Sequence, residues 1–154
     1  MPALAHIGVG LGFKRIEPKI PLWELIIGSM LIDILSMVLF FTPIWTSHSL
    51  IMGFIWSLLF STIIALILKK KSVDNYIRIS IVFGFLVFSH TIMDLIGWPM
   101  FFQSANTTGI PLLFSLTPTF GLGLYKLWFI AIPIELIVLF VGIRIYQNTI
   151  KTKK

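Results

Sequence analysis

Two ionisable side chains lie inside an otherwise apolar stretch of the chain, FSHTIMDLIGWP at residues 88–99. His90 and Asp94 are four residues apart, a spacing that places both side chains on the same face of a helix. Imidazole nitrogens and carboxylate oxygens are ligands that suit zinc, manganese and iron. The pair therefore indicates part of a metal site, and hydrogen bonding between membrane helices is the structural alternative for the same two groups.

Other ionisable residues fall at comparable positions in the chain. Asp33 and Glu135 each interrupt an apolar run, and His48 precedes another. A carboxylate at the centre of a membrane helix costs about 2.5–3.5 kcal/mol to insert, so such groups mark function by default. Counted along the helices, Asp33, Asp94 and Glu135 all lie roughly 12 Å from the outer end of their runs, with His90 one turn deeper. We expect these groups to form one polar layer. Either protons or a bound cation would balance the negative charge of this layer.

The elements that must position these residues are membrane helices. The chain has 154 residues and is 57% hydrophobic and only 12% charged, whereas soluble domains are about 25% charged. Its apolar runs are long enough to span a bilayer and do not alternate with polar residues, which excludes strands. The sequence therefore predicts an all-α fold: one integral membrane domain over residues 1–154, with a short N-terminal half-helix or interfacial segment and four transmembrane helices, at about 20–41, 49–68, 79–102 and 126–146.

The cations predict the orientation of these spans. Eleven of the 12 Lys and Arg residues fall on one side of the predicted spans, and Lys126 is the exception. The positive-inside rule then places both termini in the cytoplasm. The basic charge is thus a sign of topology and of contact with membrane lipid, and we do not expect nucleic-acid binding. The absence of cysteine excludes disulfides and thiolate metal sites.

The connecting segments carry smaller predictions. Ser47 is the predicted N-cap of the second span, and Tyr125 belongs to a predicted belt of aromatic residues at the span ends. The outer loop at about 103–125 is rich in turn-forming residues, and we expect its apolar middle, IPLLFSL, to fold back onto the bundle.

The order of these polar residues resembles that of a known family. The motifs are His6 near the N-terminus, Asp33 in MLIDIL, His48 in TSHSLIMGFIWSLL, His90 and Asp94 in LVFSHTIMDLIG, then GLGLY and Glu135 in IPIELIVLFVGI. This pattern is similar to that of the YdjM-like multi-pass membrane proteins of prokaryotes, and it is most similar to a short branch of that family. The family is classed as metal-dependent hydrolases on the basis of its motifs. Leu35 departs from the wider family, which has an acidic residue at the corresponding position.

The resemblance implies a metal-dependent hydrolase in the inner membrane of a prokaryote. Its motif residues imply a divalent metal, most simply zinc, with ligands from His48, His90, Asp94, Asp33 and His6. If residues 3–13 form a half-helix, His6 lies about 12 Å from Lys14 along the helix and approaches His90.

The same hypothesis assigns catalytic roles to Glu135 and Asp33. Glu135 would be either the general base or a partner that orients a ligating histidine. A site at this depth suggests a lipid or lipid-linked ester or phosphoester as substrate. Two alternatives use the same buried groups: a small ion- or proton-coupled transporter, and a non-catalytic membrane scaffold. The sequence does not determine the oligomeric state.

Overall fold

Long apolar helices dominate the structure. The computed structural model describes residues 3–39, 41–98, 108–114 and 118–151. Its helices are α1 (Ala3–Ile16), α2 (Leu22–Ser29), α3 (Leu31–Val38), α4 (Leu50–Lys70), α5 (Tyr76–Gly97) and α6 (Trp128–Lys151). Within the described residues, α4, α5 and α6 are the three helices long and apolar enough to cross a membrane. They correspond to the second, third and fourth predicted spans, although residues 99–102 of the third lie outside the described residues. The length and composition of these three helices are consistent with a helical membrane protein.

The first predicted span, residues 20–41, is not one continuous helix, so the prediction of four spans is not confirmed. It forms α2 and α3, each of eight residues, which are divided at Met30. The Ser29 hydroxyl donates to the Ile26 carbonyl at 2.8 Å, and the Met30 amide contacts the carbonyls of both Ile26 and Ile27. Gly28 precedes this serine, and Gly/Ser pairs are common positions for helix kinks. Glycine leaves the backbone free, and the serine hydroxyl bonds to a carbonyl of the preceding turn.

The N-terminal helix α1 packs along α6 through glycine. A Cβ atom added at Gly142 would lie 2.1 Å from the Gly8 carbonyl oxygen, so the two backbones meet without side chains between them. Small residues allow this close approach between helices in a membrane. One face of α1 is buried as a result, with Ala5 1% and Leu11 8% exposed. The contact holds a helix of about 21 Å, too short to span the bilayer, inside the bundle.

A small antiparallel sheet, which the all-α prediction did not include, lies in the loop between α5 and α6. Strands β1 (Ile110–Pro111) and β2 (Thr119–Phe120) pair with Ile110 opposite Phe120. Ile110 is fully buried, and the Leu112 carbonyl accepts a hydrogen bond from the Ile51 amide in the first turn of α4. The turn-forming residues around β1 and β2 allow this return, and the sheet supplies a partner for an amide that the helix itself leaves unpaired.

Candidate metal centre

Four ligand atoms from three parts of the chain converge in the interior of the bundle. His48 Nε2 lies 3.3 Å from Asp33 Oδ1 and 3.9 Å from Asp94 Oδ2, and His90 Nε2 lies 3.5 Å from each of the same two oxygens. We call these four residues the ligand cluster. Their side chains are 0–7% exposed except for Asp33, which is 15% exposed. The cluster is therefore almost completely buried inside the protein.

Local structure explains how each ligand reaches the cluster. Asp33 lies in the first turn of α3, and His90 and Asp94 lie one turn apart on the buried face of α5. His48 precedes α4, whose N-cap is Ser49, with its side chain accepting from the Met52 amide. The N-cap prediction for Ser47 was therefore wrong by two residues. The Ser47 side chain instead contacts the imidazole of His48.

The tautomer of His90 is set by a backbone carbonyl. His90 Nδ1 lies 2.9 Å from the carbonyl oxygen of Ser29. Because a carbonyl oxygen can only accept, Nδ1 carries the proton and a neutral ring has its lone pair on Nε2. Ser29 is the last residue of α2, where carbonyl groups lack partners within the helix. The break before α3 thus makes an acceptor available that directs the His90 lone pair into the ligand cluster.

Ser47 is the partner of His48 Nδ1. Ser47 Oγ lies 3.2 Å from the Ile44 carbonyl and 2.8 Å from His48 Nδ1. When the hydroxyl donates to the carbonyl, it accepts from Nδ1, and a neutral His48 has its lone pair on Nε2; in the other tautomer, Nε2 donates to Asp33 Oδ1 at 3.3 Å. Trp98 packs against this ring at a centroid distance of 5.4 Å and limits its rotation.

With both Nε2 lone pairs directed inwards, the cluster brings together four acceptor atoms that need a shared positive charge. Neutral histidines would leave two carboxylates, a formal charge of −2, facing two nitrogen lone pairs. His90 Nε2 has no hydrogen-bond partner within the described residues. Buried charge is stable only when it is paired or coordinates a metal. One divalent cation, or two protons on the imidazoles, would balance this arrangement.

His6 lies beside the cluster, on the first helix. Its ring stacks on that of His90, with the centroids 4.0 Å apart and the planes inclined by 8°. His6 Nδ1 is buried and, in the described part of the chain, has no hydrogen-bond partner. Two overlapping triplets, His6–His90–Asp94 and Asp33–His48–His90, each have one ligand atom per residue within 4.8 Å of one another. All five predicted ligands are thus neighbours.

Glu135 lies outside both triplets, among other partners. Its Oε2 accepts from the Ala5 amide at 2.8 Å, and its Oε1 accepts from the Tyr125 hydroxyl at 2.6 Å. Burial and the carboxylate of Glu135 raise the pKa of Tyr125, so this hydroxyl keeps its proton and donates. A catalytic role for Glu135 stays a prediction, and both of its oxygens already accept a hydrogen bond.

Tyr125 is the site residue that sequence reasoning missed. Its position near a span end suggested an interfacial aromatic residue, but it is only 4% exposed. Its ring packs on Gly97, where an added Cβ would lie 2.7 Å from Tyr125 Cδ2. The GLGLY motif was the available signal, because Gly123 adopts a positive φ of 62° and turns the chain towards Tyr125 just before α6.

Comparisons with models of protein families, with curated proteins and with solved structures found no match for this chain. The resemblance to the YdjM-like family therefore stays a prediction from motifs, as do the metal-binding and catalytic roles of the residues that carry it. What the structure adds is a buried cluster of histidines and aspartates in a helical membrane protein.

Proposed function

We propose that the ligand cluster binds one divalent metal ion, most simply zinc, and that the protein is a membrane-embedded hydrolase. The observation that carries the metal proposal is the convergence of two Nε2 lone pairs on two carboxylate oxygens. For zinc–ligand distances of about 2.0–2.1 Å, neighbouring ligand atoms of a tetrahedral site lie about 3.3–3.4 Å apart. The four separations between an imidazole nitrogen and a carboxylate oxygen here run from 3.3 to 3.9 Å. A modest contraction would therefore give zinc coordination.

The groups around the ligands support the same proposal. Metal-binding histidines usually donate their second ring N–H to a carbonyl or another acceptor, which fixes the ring and its tautomer. His90 donates to the Ser29 carbonyl, and His48 Nδ1 lies 2.8 Å from the Ser47 hydroxyl, which can accept in the same way. The charge also agrees, because one divalent ion neutralises Asp33 and Asp94. His6, buried beside His90, is the candidate for a further ligand.

The chemistry and the substrate follow from the membrane setting. Catalytic zinc has three protein ligands and an open position for water, and the triplet Asp33–His48–His90 could hold a divalent ion in this way. The ion would supply Lewis acidity and lower the pKa of that water for attack on an ester or phosphoester. Asp33 is the most exposed ligand, and it lies on α3 next to apolar side chains that face outwards, among them Met37 at 74% and Val38 at 70% exposure. A substrate reaching Asp33 past these side chains would have to be soluble in the bilayer. We therefore propose a lipid or lipid-linked ester or phosphoester.

The proposed orientation places the termini in the cytoplasm of a prokaryotic inner membrane. Arg78, at the start of α5, contacts Glu17 at 3.3 Å and donates to the Ile16 carbonyl at the end of α1. The Lys14 ammonium of α1 donates to the Ile20 carbonyl before α2. These contacts support a single basic side of the bundle, as the positive-inside rule requires.

Metal analysis of the protein purified in detergent tests the proposal. We expect about one zinc ion per chain in the wild type and almost none in the double variant His90→Ala, Asp94→Ala. Asp74→Ala is the matched control, because it removes an exposed aspartate in the turn between α4 and α5. Near-zero metal in both the wild type and the double variant, after growth and purification with zinc present, would exclude the metal site and with it this hydrolase mechanism.

A further inference from the structure

The hydrogen bonds of Glu135 join three separate parts of the chain. The residue lies in the second turn of α6 and is only 5% exposed. One oxygen accepts from Tyr125, which lies before α6, and the other accepts from Ala5, 130 residues away in the chain. Such a buried bond between distant segments fixes the position of one relative to the other.

The contact with Ala5 is a helix cap supplied by another helix. α1 begins at Ala3, so the Ala5 amide belongs to the first turn, whose N–H groups have no acceptor within the helix. A carboxylate at this end also interacts favourably with the helix dipole. α1 has no acidic residue in its own first turn. Glu135 therefore supplies from α6 the cap that the sequence of α1 lacks.

The cap determines where His6 lies. His6 follows Ala5 directly, and its ring stacks on His90 at 4.0 Å. Further along α1, the glycine contact with α6 allows the helices to approach each other, but it offers no directional bond that sets how far α1 slides. The hydrogen bond from Ala5 to Glu135 supplies that restraint, one residue from the imidazole.

We infer that Tyr125 and Glu135 are positioning residues, which hold the N-terminus of α1 so that His6 stays against His90 at the metal site. This inference rests on the proposed function for its effect on metal binding, and it gives Glu135 a role other than that of a general base. Tyr125 orients the carboxylate, since its hydroxyl occupies Oε1 and leaves Oε2 directed at the Ala5 amide.

Three variants separate the hydrogen bonds from the packing. Tyr125→Phe removes only the hydroxyl and keeps the ring on Gly97. Glu135→Leu removes both acceptors at similar volume. Glu135→Gln is the conservative variant, because its amide oxygen can accept from Ala5 while its NH₂ group donates to Tyr125. Tyr146→Phe, about 16 Å further along α6, is the matched control.

Zinc affinity is the first measurement. Loss of a group that orients a metal ligand lowers metal affinity about 10- to 100-fold. We expect a loss of this size in Tyr125→Phe and Glu135→Leu, with affinity close to that of the wild type in Glu135→Gln and Tyr146→Phe. A loss in Glu135→Gln as large as in Glu135→Leu would overturn the inference, because charge rather than hydrogen bonding would then be decisive.

A second measurement does not depend on metal. The chain lacks cysteine, so Leu11→Cys introduces a single thiol on the buried face of α1. We expect N-ethylmaleimide to modify this thiol about tenfold faster or more when combined with Tyr125→Phe or Glu135→Leu. Glu135→Leu removes the acceptor of the Ala5 amide, and Tyr125→Phe removes the hydroxyl that orients this acceptor, so α1 is held less firmly in both. Unchanged rates in both combinations would overturn the inference. If the wild type binds no zinc, the proposed function fails and the alkylation rates alone decide the positioning role.

Discussion

Replacing Gly142 by alanine tests how closely α1 and α6 must approach. The added Cβ would lie 2.1 Å from the carbonyl oxygen and 2.7 Å from the Cα atom of Gly8, whereas ordinary contacts begin at 3.4 Å. Both atoms belong to the backbone and cannot rotate away. α1 would have to move by about 1.3 Å to restore an ordinary 3.4 Å contact.

The size of the effect follows from two opposing contributions. Overpacking of a close interface costs about 1–3 kcal/mol, and the rigid backbone of Gly8 places this case at the upper end. Alanine recovers up to about 1 kcal/mol through its higher helix propensity. We therefore expect Gly142→Ala to lower the free energy of unfolding by about 2 kcal/mol, which corresponds to a decrease in Tm of about 4–8 °C for a chain of this size.

Thermal unfolding in detergent measures the difference, with Gly12→Ala as control. A Cβ at Gly12 would lie 3.9 Å from the nearest side-chain atom, Ile145 Cδ1, an ordinary contact. This variant should match or slightly exceed the wild type in Tm. Gly142→Ala should also weaken zinc binding, because movement of α1 carries His6 away from His90. Equal Tm values for the two alanine variants would refute the close approach of α1 and α6.

Further predictions concern the metal ligands, the outer sheet and the orientation. Ser47→Ala removes the hydroxyl next to Nδ1 of His48 and should weaken zinc binding about tenfold in a competition titration. Unchanged zinc binding would show that Ser47 does not orient His48. Ile110→Ala should lower the free energy of unfolding by about 2–5 kcal/mol because Ile110 is fully buried. Phe120→Ala, at a residue that is 62% exposed, should change it by less than about 0.5 kcal/mol, and similar losses in both variants would contradict the observed packing. Lys126→Cys should react with an impermeant maleimide added outside intact cells, and protection there would indicate the reverse orientation.

The long apolar helices could be predicted because their signal is local. Residues 49–68 and 126–146 agree with α4 and α6 to within a few residues, since apolar composition and length suffice to recognise them. The break at Met30 could not be predicted in this way. The break coincides with hydrogen bonds around Ser29, one of them to His90, which lies 61 residues away. The hydropathy of MLIDIL does not reveal these contacts.

The contacts between the predicted site residues could be predicted only in part from the sequence. Counting depth along helices placed Asp33 and Asp94 in one layer, and the structure places them around the same two imidazoles. The same count put Glu135 level with them, but depth says nothing about direction around a helix axis, and its carboxylate points to Tyr125 and Ala5. Such pairings depend on how the helices are rotated in the bundle.

The division of the first apolar run also affects the surrounding lipid. α2 and α3 together contain 16 helical residues, which cover about 24 Å, whereas the hydrocarbon core of a bilayer is about 30 Å thick. A bilayer of ordinary thickness would have to thin locally to match the protein on this side of the bundle. Such thinning would bring head groups towards α3, where Asp33 is the most exposed of the four ligands.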